Sequence, residues 1–388
     1  MKRFTFITLA LFYIQSVSAI SISGYVFHDK NGNGTRDKGE AGIKNVSVSD
    51  QVDVVQTNAD GYYQLDAKGH GLVFISVPDG YRTSQSYYVK TSDINGGTRD
   101  FALAKVTVPS EFKFIHASDT HISEASLHRT QRLKTLSDSL KPEFVLVSGD
   151  LIKDALRVSE SEAAPLYEMY VRETKKFSMP VWSAAGNHEN FGIERQTSLV
   201  SKKNPLYGKK MFHHYLGPNY YSFNYGGIHF VALDDVDFED LWYYGHVDST
   251  QVEWLKKDLA AVPTTVPVVT FAHMPFFSGG LSLSNFEEDG PGRTLERHQG
   301  KLHFRHVVSN AQELLQILQT HPYPISLAGH FHARQVFSYE STGQKTRFEQ
   351  AAAVVGNGGE GSIEMRSGIT LYTVKNGQIS EGKFIPLD

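Results

Sequence analysis

Hydrophobic positions follow two regimes along the chain. From Ser21 to about Lys105, short alternating apolar runs (Gly24 to Phe27, Val46 to Val48, Gly61 to Leu65, Leu72 to Val77) are separated by Gly, Asn and Asp. This spacing predicts a small antiparallel β-sandwich. Pro109-Ser110 marks a link, and beyond it apolar runs ending in polar residues alternate with helical stretches such as Thr130 to Leu140 and Gln251 to Leu259. That alternation predicts an α/β domain. Its strands are drawn at Phe112 to His116, Phe144 to Ser148, Val181 to Ala185, Tyr221 to Tyr225, His229 to Leu233, Val266 to Ala272 and Ile325 to Ala328. Later runs at Gln335 to Tyr339, Phe348 to Val355 and Ile369 to Val374 read as the far edge of the same domain.

Most of these strands end where Asp, His or Asn begins. In α/β sheets that is the ligand position, because the loops are exposed while the strands fix their spacing. The stretch from Phe277 to Arg305 is long, Gly-rich and charged, and reads as a lid or specificity loop, the alternative being a plain surface excursion.

At the start, Met1-Lys2-Arg3, an apolar run from Phe4 to Ile14 and Ser16-Val17-Ser18-Ala19 have the three regions of a secretory signal. The run is shorter than the roughly 20 apolar residues a span requires, so export to the periplasm or medium is expected, with no transmembrane segment in the mature chain. The expected division is residues 1–19 as signal peptide, 20–108 as a β-sandwich domain and 109–388 as a catalytic domain. Without the signal, 36 basic residues stand against 42 acidic ones, a balance that gives no global attraction to a nucleic-acid polymer. A small substrate is expected. Cysteine is absent, so any metal site draws on His, Asp, Glu, Asn and water.

Five segments carry the chemistry: Asp119-Thr120-His121, Gly149-Asp150, Gly186-Asn187-His188-Glu189, His273 and Gly329-His330-Phe331-His332. Residues two apart in an extended segment point to one side, so Asp119 with His121, and His330 with His332, are expected to converge. Mixed imidazole and carboxylate suits manganese, iron or zinc better than calcium or magnesium. Two such ions neutralise phosphate oxygens and acidify a shared water, making hydroxide the expected nucleophile.

The order DxH, GD, GNHE, H and GHxH across Asp119 to His332 resembles the calcineurin-like metallophosphoesterases. The Tyr215 to Phe230 stretch and Gln251-xx-Trp254-Leu255 resemble connecting parts of that family. The resemblance implies a four-layer α/β/β/α sandwich behind the small all-β domain. It also implies a first metal held by Asp119, His121 and His332, a second held by Asn187, His273 and His330, and Asp150 as the bridge. His188 would lie over the substrate phosphate as a catalytic group, with Glu189 and Asp154 orienting the ligands. Purple acid phosphatases, a related group, use a tyrosine ligand shortly after the GD segment; here Leu151 to Ala155 contains none. His116, His213, His214, His246, His298, His303 and His306 fall outside the motifs and read as ordinary histidines. His298, His303 and His306, near Arg293, Arg297 and Arg305, have substrate contact as the alternative.

In the small domain, Asp29, Asn31, Asn33, Asp37 and Glu40 have EF-hand loop spacing between strand-like flanks. They resemble the calcium-binding repeats of bacterial surface proteins, against the plainer alternative of a hairpin with Asn-Gly steps. The expected function is hydrolysis of phosphate mono- or diesters by attack of a metal-bridging hydroxide. Its narrower form is a cyclic-nucleotide or lipid-headgroup phosphodiesterase, and the rival from another class is a surface adhesion or scaffold protein with a vestigial metal domain.

Overall fold

A computed structural model describes residues 20–281, 286–288, 293–341, 343–360 and 363–387. The proposed signal at 1–19 lies outside these residues, as do 282–285 and 289–292 of the 277–305 stretch. Among the described residues no helix is long and apolar enough to cross a membrane.

The N-terminal region is all β. One four-stranded sheet runs Tyr62–Ala67, Ile20–His28, Phe101–Lys105, Tyr81–Thr83, and the other Val54–Gln56, Ser47–Ser49, Leu72–Ile75, Tyr88–Lys90. Tyr62–Ala67 shows the expected alternation, with Tyr63, Leu65 and Ala67 buried and Gln64 and Asp66 exposed. One pairing departs from the antiparallel expectation, since Ile20–His28 and Phe101–Lys105 run parallel. These two strands are distant in sequence and need no hairpin between them.

In the Asp29 to Glu40 loop the polar side chains tie the turn itself. Asp29 accepts from the N–H groups of Gly32 and Gly34, and Glu40 from those of Lys30 and Asp37.

The larger region contains β1 (Glu111–Ala117), α1 (Leu127–Leu140), β2 (Phe144–Ser148), α2 (Glu160–Thr174), β3 (Val181–Ala184), β4 (Tyr221–Tyr225), β5 (Ile228–Ala232), α3 (Ser249–Ala260), β6 (Val268–Phe271), α4 (Ala311–Leu318), β7 (Ile325–Ala328), β8 (Gln335–Ser341), β9 (Gln344–Gln350), β10 (Gly368–Lys375), β11 (Gln378–Ile379) and β12 (Lys383–Pro386). One sheet has the order β3-β2-β1-β10-β11 with β12 also beside β10, and the other β4-β5-β6-β7-β9-β8. Of the C-terminal runs, β8 and β9 close the edge of the second sheet. The last long one, β10, returns instead to the first sheet and pairs antiparallel with β1.

Period-two patterning explains the layers. Ile115, Ala117, Val145 and Val147 share a buried cluster with Leu133 of α1 and Tyr167 and Tyr170 of α2. Phe114, Phe144 and Leu146 point the other way, into the cluster that holds the second sheet and Trp254, Leu255, Leu314 and Leu318 of α3 and α4. Between the sheets, Phe144 and Phe230 meet edge to face at 5.2 Å, and Phe223 stacks on Phe230 at 5.0 Å. The result is an α/β/β/α sandwich.

Helix starts follow local capping. Asp248 accepts from the N–H groups of Thr250 and Gln251 at the head of α3, and Ser159 with Glu162 forms a capping box at α2. The all-β region packs on this body through Trp254, whose Nε1 donates to Ser49 Oγ at 3.0 Å while its ring lies 5.0 Å from Tyr220. Tyr220 in turn donates to the Gln51 carbonyl at 2.6 Å.

Candidate metal centre

The strands deliver the chemistry at a constant offset. β1, β2, β6 and β7 end at Ala117, Ser148, Phe271 and Ala328, and Asp119, Asp150, His273 and His330 each stand two residues further on. The backbone there is not the extended chain expected from the sequence. Asp119, His121, Asp150, His330 and His332 all have positive φ, between 37° and 72°. Left-handed turns, not strand alternation, bring Asp119 to His121 and His330 to His332. A non-glycine residue there costs on the order of 1–3 kcal/mol, so five together mark a site that the surrounding sheets hold in place.

The motif glycines serve close approach as well as turning. Gly149 has φ of 81°, and a Cβ on it would sit 2.6 Å from His273 Nδ1. Gly329 and Gly186 have no such φ, but a Cβ on the former would lie 2.6 Å from Asp119 Oδ2, and on the latter 3.0 Å from Glu189 Oε2 and closer still to Asp150.

Three groups of His and Asp bring ligand atoms within 4.8 Å of one another among the described residues: Asp119, His121 and His332; His121, Asp150 and His188; Asp150, His273 and His330. His121 Nε2 lies 3.2 Å from His332 Nε2 and 3.5 Å from Asp150 Oδ2, and His332 Nε2 is 3.3 Å from Asp119 Oδ1. His273 Nε2 lies 3.0 Å from Asn187 Oδ1, 3.3 Å from Asp150 Oδ2 and 3.0 Å from His330 Nδ1. All seven ligand positions expected from the sequence therefore meet.

These spacings fit cations. Ligand atoms about 2.1 Å from one ion are separated by about 3.0–3.4 Å in octahedral or tetrahedral arrangement. The hydrogen bonding fits as well. His273 Nδ1 donates to the Ser148 carbonyl at 2.9 Å, which turns its Nε2 toward a carboxylate oxygen, an amide oxygen and another imidazole nitrogen. Among the described residues Asp119 Oδ1 is buried without a hydrogen-bond partner. Burial disfavours charge on His273, but Asp150 and Asp119 outweigh it and raise its pKa to about 10. Asp150, despite burial, is held well below the usual carboxylate range by His273 and His188.

Glu189 orients the turn that carries Asp150. Its carboxylate accepts from the N–H groups of Asp150, Leu151, Ile152 and Gly186, while burial and Asp150 push its pKa up to about 8. His188 donates its backbone N–H to Asp150 Oδ1 at 2.9 Å, and its ring Nδ1 to the Lys153 carbonyl at 2.6 Å. Asp154 stands 4.0 Å from His188 Nδ1 and directs its carboxylate to the Leu156 N–H and to Arg157. An open cleft of about 580 Å³ is lined by His121, His188, His332, Lys153, Ser123 and His128 among others.

Two residues at the centre carry no motif. Asp235, two places after Leu233, is buried and accepts from the N–H groups of His273 and Met274; its position after a strand end was the available signal. His306, read from sequence as ordinary, lies 2.7 Å from His330, and no spacing pattern announces it.

The calcineurin-like phosphoesterase family profile matches residues 112–334, and that for the N terminal of calcineurin-like phosphoesterase matches 30–118. The chain belongs to the calcineurin-like phosphoesterase family. A dinuclear metal site is typical of this family. Purple acid phosphatase 23 of Arabidopsis thaliana is 24% identical over 294 residues, covering 68% of this chain and 57% of that protein. Purple acid phosphatase 15 of the same plant is 25% identical over 229 residues, covering 51% and 37%. This calcineurin-like phosphoesterase therefore spans little more than half the length of the first of these relatives and less of the second. Among solved structures, a dimetal phosphatase from Danio rerio is similar over 71% of this chain and 99% of its own, at 14% identity and a TM-score of 0.45.

Proposed function

We propose that this calcineurin-like phosphoesterase is a metal-dependent hydrolase of small phosphate mono- or diesters. The observation that carries the proposal is the convergence of seven Asp, His and Asn side chains from five loops, with their oxygen and nitrogen atoms 3.0–3.5 Å from their neighbours. Asp119, His121 and His332 would hold one ion, Asn187, His273 and His330 the other, and Asp150 both. Manganese, iron or zinc suits this donor set. When bound, two such ions supply Lewis-acid charge for phosphate oxygens and lower the pKa of water.

The chain's own groups do the rest. With Nδ1–H held by the Lys153 carbonyl, His188 exchanges its second proton at Nε2, the nitrogen that lies 3.8 Å from Asp150 Oδ2. Protonated there, it donates to a phosphate or leaving-group oxygen. Lys153 places a positive charge on the same cleft wall, and the cleft volume suits a small ester.

The same proposal takes residues 1–19 as an export signal, 20–108 as the β region and 109–388 as the catalytic region. Calcium at Asp29, Asn31, Asn33, Asp37 and Glu40 is a separate proposal that rests on their spacing. The test is to strip the protein with a chelator and measure release from p-nitrophenyl phosphate and bis-p-nitrophenyl phosphate with each metal restored. Metal-dependent release supports the hydrolase, and the faster ester names the subclass. Transition-metal binding without any effect of Asp150→Asn on function would favour the scaffold reading.

A further inference from the structure

His330 has two ring nitrogens in different company. Nδ1 faces His273 Nε2 at 3.0 Å, inside the group with Asp150. Nε2 faces away, 2.7 Å from His306 Nδ1. A contact that short between two ring nitrogens holds one hydrogen, and the far end of His306 decides whose it is. His306 Nε2 lies 3.3 Å from the Arg293 carbonyl, which can only accept, so Nε2 carries the hydrogen and Nδ1 is left as an acceptor. The shared hydrogen then belongs to His330 Nε2. The His330 Nδ1 lone pair is thereby left for the metal group.

We infer that His306 is a positioning residue that fixes the tautomer and ring angle of His330, so that Nδ1 is presented to the second metal. The inference rests on the metal reading above. His306 is not itself a ligand, because its Nδ1 is committed to His330, the two rings meeting edge to edge with centroids 5.0 Å apart and planes 25° apart. Histidine ligands are commonly oriented in this way through the nitrogen that does not bind the metal, usually by a carboxylate, a carbonyl or a water. Here a second histidine does it, and that histidine directly follows the 277–305 stretch.

The base of that stretch holds His306 from two sides. Arg293, whose carbonyl accepts from it, lays its guanidinium 3.5 Å above the Trp242 ring. Arg305 lies 4.4 Å from the centre of the Tyr243 ring, which in turn meets His306 at 6.2 Å. The stretch that differs most from the regular α/β pattern thus reaches the second metal position through one hydrogen-bond chain, Arg293 to His306 to His330.

The test titrates manganese alone into chelator-stripped protein, comparing wild type with His306→Phe, which keeps a ring but no acceptor, and His306→Gln, whose amide oxygen still accepts. Thermal unfolding of each apo form is measured alongside, and His306→Ala replaces the Phe variant if that one does not fold. Wild type is expected to take two ions. H306F is expected to bind one of them as wild type does and the other about 10- to 100-fold more weakly, with H306Q recovering most of the loss. Wild-type affinity at both positions in H306F overturns the inference, and so does a loss in H306Q equal to that in H306F, which would mean packing alone. If wild type takes up fewer than two ions, the metal reading fails together with this one. If wild type takes two and H306F does too at full affinity, only the role of His306 falls.

Discussion

Replacing Gly186 with alanine sets a methyl group against the central carboxylate without straining the backbone, since Gly186 has no positive φ. The new Cβ would lie about 1 Å inside an ordinary 3.4 Å contact with Asp150 Oδ1, and 3.0 Å from Glu189 Oε2. Glu189 is fixed by four backbone N–H groups, so the Asp150 turn has to yield. Overpacking of this kind costs about 1–3 kcal/mol of stability. A displacement of about 1 Å in a catalytic group lowers the rate by about 100-fold. Gly358→Ala is the matched control, because among the described residues its Cβ would find nothing nearer than 3.7 Å, at His332 Cβ. Manganese titration and ester hydrolysis on both variants are the assays. G186A is expected to lose affinity and about two orders of magnitude in rate, and G358A to match wild type. Wild-type metal affinity and rate in G186A would refute the account of how the glycines admit the ligands.

Glu189→Gln replaces a carboxylate that accepts four backbone N–H groups with an amide whose nitrogen faces donors, and is expected to cost about 2–4 kcal/mol in denaturant unfolding. Trp254→Ala opens the junction with the all-β region and is expected to cost about 3–5 kcal/mol; because Trp254, Phe74 and Tyr220 share one core, both regions should melt in one calorimetric transition, and a separately melting β region would contradict the shared core. Burial holds His213 down to about 4 even though it bonds Asn219, so below the ordinary histidine value of 6.5 the unfolded chain binds the extra proton and the folded one does not. Stability should therefore fall as pH drops from about 6.5 to 4, by at most about 3 kcal/mol, and His213→Gln should flatten that slope.

Much of the α/β body was legible because its strands are short apolar runs that stop just before Asp, His or Asn. Phe144–Ser148, Tyr221–Tyr225 and Ile325–Ala328 fall where the pattern puts them. The residues that converge were legible for the same reason, since each strand end is followed by its own Asp, His or Asn. What the pattern could not carry was conformation set by tertiary contact. The left-handed backbone at five of the converging positions replaces the alternation that a strand-based reading assumes, and β10 crosses back to pair with β1 through a register no local signal encodes. His306 belongs to the same class, because its importance lies in a contact with a residue 24 positions away. The parallel pairing of Ile20–His28 with Phe101–Lys105 likewise joins segments whose local turns say nothing of each other.

Asp150 is the residue that both proposed ligand groups would share, and Asp150→Asn removes its charge while leaving an oxygen to accept the His188 N–H. The direct measurement is manganese stoichiometry and p-nitrophenyl ester hydrolysis on metal-stripped, metal-restored protein, wild type beside D150N. The account predicts two ions per wild-type chain and metal-dependent release. In D150N it predicts loss of one or both ions and a fall in turnover by orders of magnitude. A wild-type chain that binds no transition metal, or a D150N variant that keeps both ions and full turnover, would contradict it.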